Sequence, residues 1–339
     1  MAGHVFFFIL QKLFYFFTQK TPNVMNQINL FLLAIAFLMM PIAKAQKTTF
    51  SEKPLILETA TGKLYGTLTL PKKKAQKVAL LIAGSGPTDR NGNNPVMPNN
   101  SLKMLAEALA LEGLAVLRYD KRGVAESTGA ATAEADLRFE HYIADAVAWG
   151  QFLKTAEGFA EVVVIGHSEG SLIGMYAAPQ IPAWGFVSLA GAGEKADQVL
   201  RKQLANQPDF VRNEAYALLD SMVAGQLVPD VKHYLNALFR PSVQPYLISW
   251  FRHNPQQQIA TLTMPVLLVQ GTTDIQVETP QVEMLAKAQP KAQVQVIEGM
   301  NHILKKAPAD RDENIKTYSQ PDLPLHPDLI PYLRTFLQP

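Results

Sequence analysis

The stretch EVVVIGHSEGSLIG, residues 161–174, decides the reading of this chain. Four apolar residues, Val162 to Ile165, run straight into Gly166-His167-Ser168-Glu169-Gly170. In a parallel sheet, function gathers at the C-terminal ends of the strands. A strand that turns sharply into a helix there pushes one side chain outward. The turn is tight, so the positions two before and two after the exposed residue must be small, and the G-x-S-x-G spacing supplies them. The helix N-terminus then lies under the serine, where its free N–H groups favour developing negative charge. Ser168 is therefore the candidate nucleophile, and the Glu169 N–H is one candidate oxyanion donor.

A serine nucleophile needs a base, and the base needs an orienting acid. Downstream of Ser168 stand His233, His253, His302 and His326. His302, in EGMNHIL just after an apolar strand pattern, is the expected base. His326 sits among prolines and is expected to start the last helix. His233 and His253 fall in a helical insertion, and His167 inside the turn is expected to be structural. The expected acid is Asp274 in QGTTDIQV, again at a strand end, where a buried carboxylate would fix the tautomer of His302. Glu194, after VSLAGAG, is the weaker competitor. The second oxyanion donor is expected from the glycine-rich turn AGSGPTDRNGN, with Gly86 first and Ser85 second. Asp120 and Arg122 are expected to pair structurally, and the roles of Asp89 and Arg90 stay open.

Around this motif the pattern alternates. ILETATGKLYGTLTLP predicts a hairpin about Thr61-Gly62. KVALLIAGSG, LAVLRYD, VVVIG, GFVSLAGAG, PVLLVQG and AQVQVIEG read as strands. SLKMLAEALALEG, with Ser101 as its expected N-cap, HYIADAVAWGQFLK, PQVEMLAKAQ and LIPYLRTFL read as helices. Most of the strands are continuous apolar runs rather than alternating ones, which indicates an α/β fold: a mostly parallel sheet covered by helices on both faces. Residues 194–262 break the rhythm with helical stretches only, and are expected to form a cap inserted between core segments 46–193 and 263–339.

The N-terminal segment reads separately. The segment INLFLLAIAFLMM (28–40), apolar but for Asn29, precedes PIAKAQ, and Ala43-Lys44-Ala45 offers a small-x-small site with cleavage before Gln46. A run of 13 residues falls short of the roughly 20 needed to span a bilayer. Residues 1–45 are therefore expected to be an export signal, with an uncleaved membrane tether as the alternative and Met25 as an alternative start. Export implies a periplasmic or secreted protein, with no stable membrane association once the signal is removed. Without that segment the chain carries 28 basic against 29 acidic residues, which gives no basis for nucleic-acid binding. There are no cysteines, which excludes disulfides, a thiolate nucleophile, cysteine-ligated zinc and a lipid-modified cysteine. No phosphate-binding glycine motif or metal-ligand spacing is present in the sequence, so no cofactor or metal is expected.

Taken together, GSGPTDRNGN (84–93), GHSEG (166–170), QGTTDIQV (270–277) and MNHIL (300–304) resemble the motifs of bacterial serine esterases of the α/β-hydrolase superfamily, in order, over roughly residues 55–339. The resemblance implies Ser168 as nucleophile, Asp274 as acid and His302 as base, acting on small carboxylic esters, best known with short acyl chains. Two positions depart from the common pattern, Ala125 and Ser171, each small where relatives carry glycine. Two alternatives stand beside an esterase. One is a peptidase or amide hydrolase whose cap would need acids such as Glu214 or Asp220 to receive an amine. The other is an inactive module that binds ligand in the same pocket. Substrate identity and oligomeric state are not encoded in these patterns.

Overall fold

A computed structural model describes residues 50–131 and 133–337, so the expected export signal lies outside the described residues. The alternating apolar runs pair into one eight-stranded sheet. Its strands are β1 (Phe50–Thr59), β2 (Gly62–Pro71), β3 (Lys77–Ile82), β4 (Ala115–Tyr119), β5 (Glu161–His167), β6 (Gly185–Leu189), β7 (Val266–Gly271) and β8 (Gln293–Ile297), in the order β1-β2-β4-β3-β5-β6-β7-β8. The hairpin β1–β2 and its junction with β4 are antiparallel, and every later pairing is parallel.

Alternate residues of the central strands feed two cores. Val78, Leu80, Val162, Val164 and Phe186 face one. Ala79, Leu81, Val163, Ile165 and Val187 face the other. Helices α1 (Ser101–Leu111), α2 (Phe139–Thr155) and α3 (Glu169–Gln180) follow β3, β4 and β5. Helix α2 supplies Phe139, Ala146 and Trp149 to the first core, and α1 supplies Leu102, Leu105 and Leu109 to the second. The two edge strands are exceptions to two-sided burial: β1 is exposed along most of its length, and in β8 Val294 and Val296 remain exposed. Helix α1 also starts differently from its sequence expectation. Asn100, in the left-handed region at φ 56°, is its N-cap, and Ser101 is the first helical residue.

Between β6 and β7 the chain is helical: α4 (Ala196–Leu204), α5 (Asp209–Val223), α6 (Asn236–Phe239), α7 (Gln244–Trp250) and α8 (Pro255–Ile259). Leu219, Phe239, Leu247 and Ile259 tie this segment to the first core. Helix α9 (Thr279–Ala288) follows β7, and α10 (Arg311–Lys316) and α11 (Leu329–Leu337) follow β8. Among the described residues no helix is long and apolar enough to cross a membrane.

Candidate active site

Strand β5 ends at His167 and helix α3 begins at Glu169, so Ser168 carries the whole reversal of direction. Its backbone sits at φ 55° and ψ −120°, a conformation that costs a side-chain-bearing residue free energy and persists only when its surroundings impose it. The two flanking glycines show what imposes it. A Cβ on Gly166 would fall on the carbonyl of Gly170, and a Cβ on Gly170 would fall on the carbonyls of Ile82 and Ala83 in β3 and the loop after it. The Ser168 N–H donates to Leu189 O at 2.9 Å, anchoring the turn to β6.

The Ser168 hydroxyl lies 3.0 Å from His302 Nε2. His302 Nδ1 lies 2.8 Å from Asp274 Oδ2, and both side chains are buried. Asp274 is held from several sides. Its Oδ1 accepts the N–H groups of Gln276 at 2.8 Å and Val277 at 2.9 Å, and its Oδ2 also accepts from Gln270 Nε2 at 3.1 Å. Burial would raise the carboxyl, but the charge of His302, its hydrogen bond and the two backbone donors outweigh that and hold it below the usual carboxylate range. The loop after β7 and the loop after β8 are laced together by Thr272 N–H to Ile297 O and Thr273 N–H to Met300 O. The structure therefore brings together the serine, histidine and acid expected from sequence, each at the C-terminal end of a parallel strand.

The other histidines lie elsewhere in the described residues. His167 is buried behind the turn, and its Nε2–H donates to the backbone carbonyl of His302 at 2.7 Å. Burial, then the neighbouring His302 ring, push His167 down to about 4, so it is neutral at physiological pH. His326 sits just before α11, where its Nδ1 accepts from Asp328 N–H. His253 bonds Glu140, and His233 lies in a one-turn 3-10 helix of the segment between β6 and β7. Glu194 bonds Lys202 and Gln281, not the histidine.

Gly86 adopts φ +69° on the turn after β3, where backbone conformation, not space, selects glycine. The Glu169 N–H opens α3 and so has no carbonyl partner within the helix. Both residues, with Ser85 and Ser168, line a cavity of about 300 Å³ that is otherwise walled mainly by apolar side chains from α3, α4 and α7, among them Leu172, Leu200, Leu247 and Trp250. A second cavity of about 160 Å³ shares Ser85, Ser168 and Gln276 with the first. It is lined by His302, His167, Thr88, Asn94, Asn99 and Ser101 among others. Lys305 braces its wall by donating to Asn99 O and Gln320 O, each at 2.6 Å.

The charged stretches resolve as loop ties. Asp89 accepts from the N–H groups of Asn91 and Asn93. Arg90 pairs with Asp120 and Glu126, and Arg122 forms a two-pronged pair with Asp145. Sequence reasoning passed over Lys121, which donates to Gly84 O, Tyr246, which donates to the Glu169 carboxylate, and Gln270, which donates to Asp274. The only sequence signal for Lys121 was its place in RYDKRG beside two other charges. Among the described residues no group of three or more histidine or acidic side chains is arranged to hold a metal.

Against known proteins, the family described as serine aminopeptidase, S33 matches residues 99–233. Among curated proteins the chain is similar to esterase EstD of Thermotoga maritima, 27% identical over 270 residues, covering 76% of this chain and 60% of that relative's length. Among solved structures it is similar to the Pyrococcus furiosus esterase PF2001, with TM-score 0.54 and 18% identity over 86% of this chain and 92% of that one. It is also similar to Est1E from Butyrivibrio proteoclasticus with ferulic acid bound, with TM-score 0.57 and 15% identity over 84% and 100%.

Proposed function

We propose that this chain, which has the α/β-hydrolase fold, is a serine hydrolase that cleaves carboxylic esters through an acyl-enzyme intermediate. The observation that carries the reading is the continuous hydrogen-bonded series Ser168–His302–Asp274 at the mouth of two cavities. Ser168 Oγ attacks the acyl carbonyl as its proton passes to His302 Nε2. Asp274 holds Nδ1–H and stabilises the imidazolium. The N–H of Glu169 and that of Gly86, or of Ser85 beside it, receive the negative charge on the carbonyl oxygen. His302 then protonates the leaving alcohol, and water, deprotonated by the same nitrogen, releases the acid.

The two cavities divide the substrate. The leaving oxygen must lie beside His302 Nε2 to take its proton, and His302 lines only the smaller, more polar cavity. The acyl chain then occupies the larger one, which holds the candidate oxyanion donors and the apolar wall. Short acyl chains are part of the proposal on the resemblance of the motifs, and the cavity of about 300 Å³ has room for them.

The family description and the shared scaffold keep amide hydrolysis as a second reading. An aminopeptidase needs a carboxylate to receive the substrate's ammonium group. Asp220 pairs with Arg201, Glu214 accepts from Tyr234, and neither lines the larger cavity. The acids that do line it, Glu169 and Glu194, are matched by Lys121 and Lys202. This supports ester over aminopeptide substrates. Export to the periplasm or beyond is also part of the proposal and rests on residues 28–46 alone.

The test is hydrolysis of p-nitrophenyl acetate, butyrate and octanoate by residues 46–339 beside Ser168→Ala. Activity that falls by about three or more orders of magnitude in the variant is the expected result. Absence of turnover together with absence of fluorophosphonate labelling at Ser168 would leave only a ligand-binding module.

A further inference from the structure

Behind Ser168 lies a buried ion pair that the chemistry above does not use. Lys121 Nζ donates to Glu169 Oε1 at 2.8 Å, and each side chain is only 1% exposed. The same ammonium donates to Gly84 O at 2.6 Å and sits 4.6 Å from the centre of the Tyr142 ring. The second carboxylate oxygen, Glu169 Oε2, accepts from the Tyr246 hydroxyl at 2.5 Å. Tyr246 belongs to α7 in the segment between β6 and β7, and it also lines the larger cavity.

Burying two charges is costly, and such a pair does not by itself favour stability. Its attachment points are more informative. Glu169 carries one candidate oxyanion N–H, and Gly84 precedes Ser85 and Gly86, which carry the other. Gly84 also packs so closely that a Cβ there would lie 3.1 Å from Ser168 Cβ. One ammonium therefore ties the two backbone segments that must present donors to a single oxygen. It also neutralises a carboxylate whose own residue supplies one of those donors. Left alone, that carboxylate would oppose the negative charge developing on the substrate in a site of low dielectric.

We propose that Lys121, the Glu169 side chain and Tyr246 are positioning residues of the oxyanion hole. Lys121 fixes the spacing of its two backbone donors and cancels the Glu169 charge, and Tyr246 completes the buried carboxylate from α7. This rests on the esterase reading of Ser168 and adds to it that Lys121 and Glu169 act as an electrostatic unit.

The experiment is a double-mutant cycle of Lys121→Met, Glu169→Gln and both together, with Tyr246→Phe alongside. Each is read by kcat and KM on p-nitrophenyl butyrate and by the rate of fluorophosphonate labelling. Lys121→Met should lower kcat by about 100-fold with KM little changed, on the scale of a lost oxyanion donor. The double variant should recover about 10-fold over Lys121→Met, because it no longer leaves a buried carboxylate uncompensated. Tyr246→Phe, which removes one hydroxyl, should lower kcat by about 5-fold. A folded Lys121→Met within about 3-fold of wild type, or a double variant no better than Lys121→Met, would overturn the proposal. If Lys121→Met does not fold, Tyr246→Phe decides, and an unchanged kcat overturns the proposal. A wild-type chain that neither turns over ester nor takes the label would instead sink the nucleophile reading itself.

Discussion

Asp274→Asn changes one atom and should remove most of the activity without removing the fold. The two backbone donors, Gln276 N–H and Val277 N–H, lie 2.8 and 2.9 Å from Oδ1. An asparagine must keep its carbonyl oxygen toward them or leave both unsatisfied. Its NH2 group then takes the place of Oδ2, facing His302 Nδ1 at 2.8 Å and Gln270 Nε2 at 3.1 Å. His302 meets a donor there only by turning Nδ1 into an acceptor, which moves its proton to Nε2. That nitrogen then cannot accept the Ser168 proton. Loss of the orienting acid in such an arrangement costs about 10⁴ in kcat, or about 5 kcal/mol of transition-state stabilisation. Asp274 lines neither cavity, so KM should hold. The Gln270 amide cannot serve both sides: kept as it is, its Nε2 faces the new NH2 donor, and turned, its Oε1 faces Val277 O, so the variant should also lose about 1–3 kcal/mol of stability while remaining folded. The assay is steady-state hydrolysis of p-nitrophenyl butyrate, with thermal unfolding as the control. A folded variant whose kcat stays within about 10-fold of wild type would refute the orienting role of Asp274.

Two further outcomes follow from the same geometry and sequence. His167 stays neutral in the folded chain down to about pH 4, whereas an unfolded histidine takes up its proton near 6.5. Between those values the unfolded chain binds more protons, so stability should fall as pH drops through that window, by about 3 kcal/mol in all. Denaturant titrations at pH 7, 5.5 and 4.5 should show a shallower fall in His167→Asn, and an identical fall would remove His167 as the cause. At the N-terminus, mass spectrometry of the exported protein should find Gln46 as the first residue, and a retained 28–40 segment would instead indicate a tether.

The parts of the site that were legible in the sequence share one property. Ser168, Asp274 and His302 each follow closely on a strand, and β5 and β7 carry the continuous apolar stretches Val162–Ile165 and Val266–Val269, so order along the chain already carried position at the sheet edge. Gly166 and Gly170 were legible for the same reason, since a sharp strand-to-helix turn needs small residues at those offsets. What escaped were contacts made across the fold. Lys121 looked like one more charge in a polar loop, yet it reaches Glu169 at a separation of 48 residues, and Tyr246 reaches the same carboxylate at 77. The expected Ser101 cap was displaced by one residue because Asn100 could adopt the left-handed conformation that the incoming loop requires.

By itself the sequence determined the alternation of strand and helix, the strained turn at Ser168 and the residue types of a candidate nucleophile, base and acid in workable order. These are local consequences of periodicity and side-chain size, which neighbouring residues are enough to impose. Only the tertiary structure decided which carboxylate reaches His302, that Glu194 is spent on Lys202 and Gln281, and that Ser168 lines both a mainly apolar cavity and a smaller, more polar one. It also decided that the charge of Glu169 is cancelled from β4's loop and capped from α7. Distances of 3 Å between residues scores of positions apart depend on how helices and loops pack over a shared sheet, and that packing is a property of the whole chain.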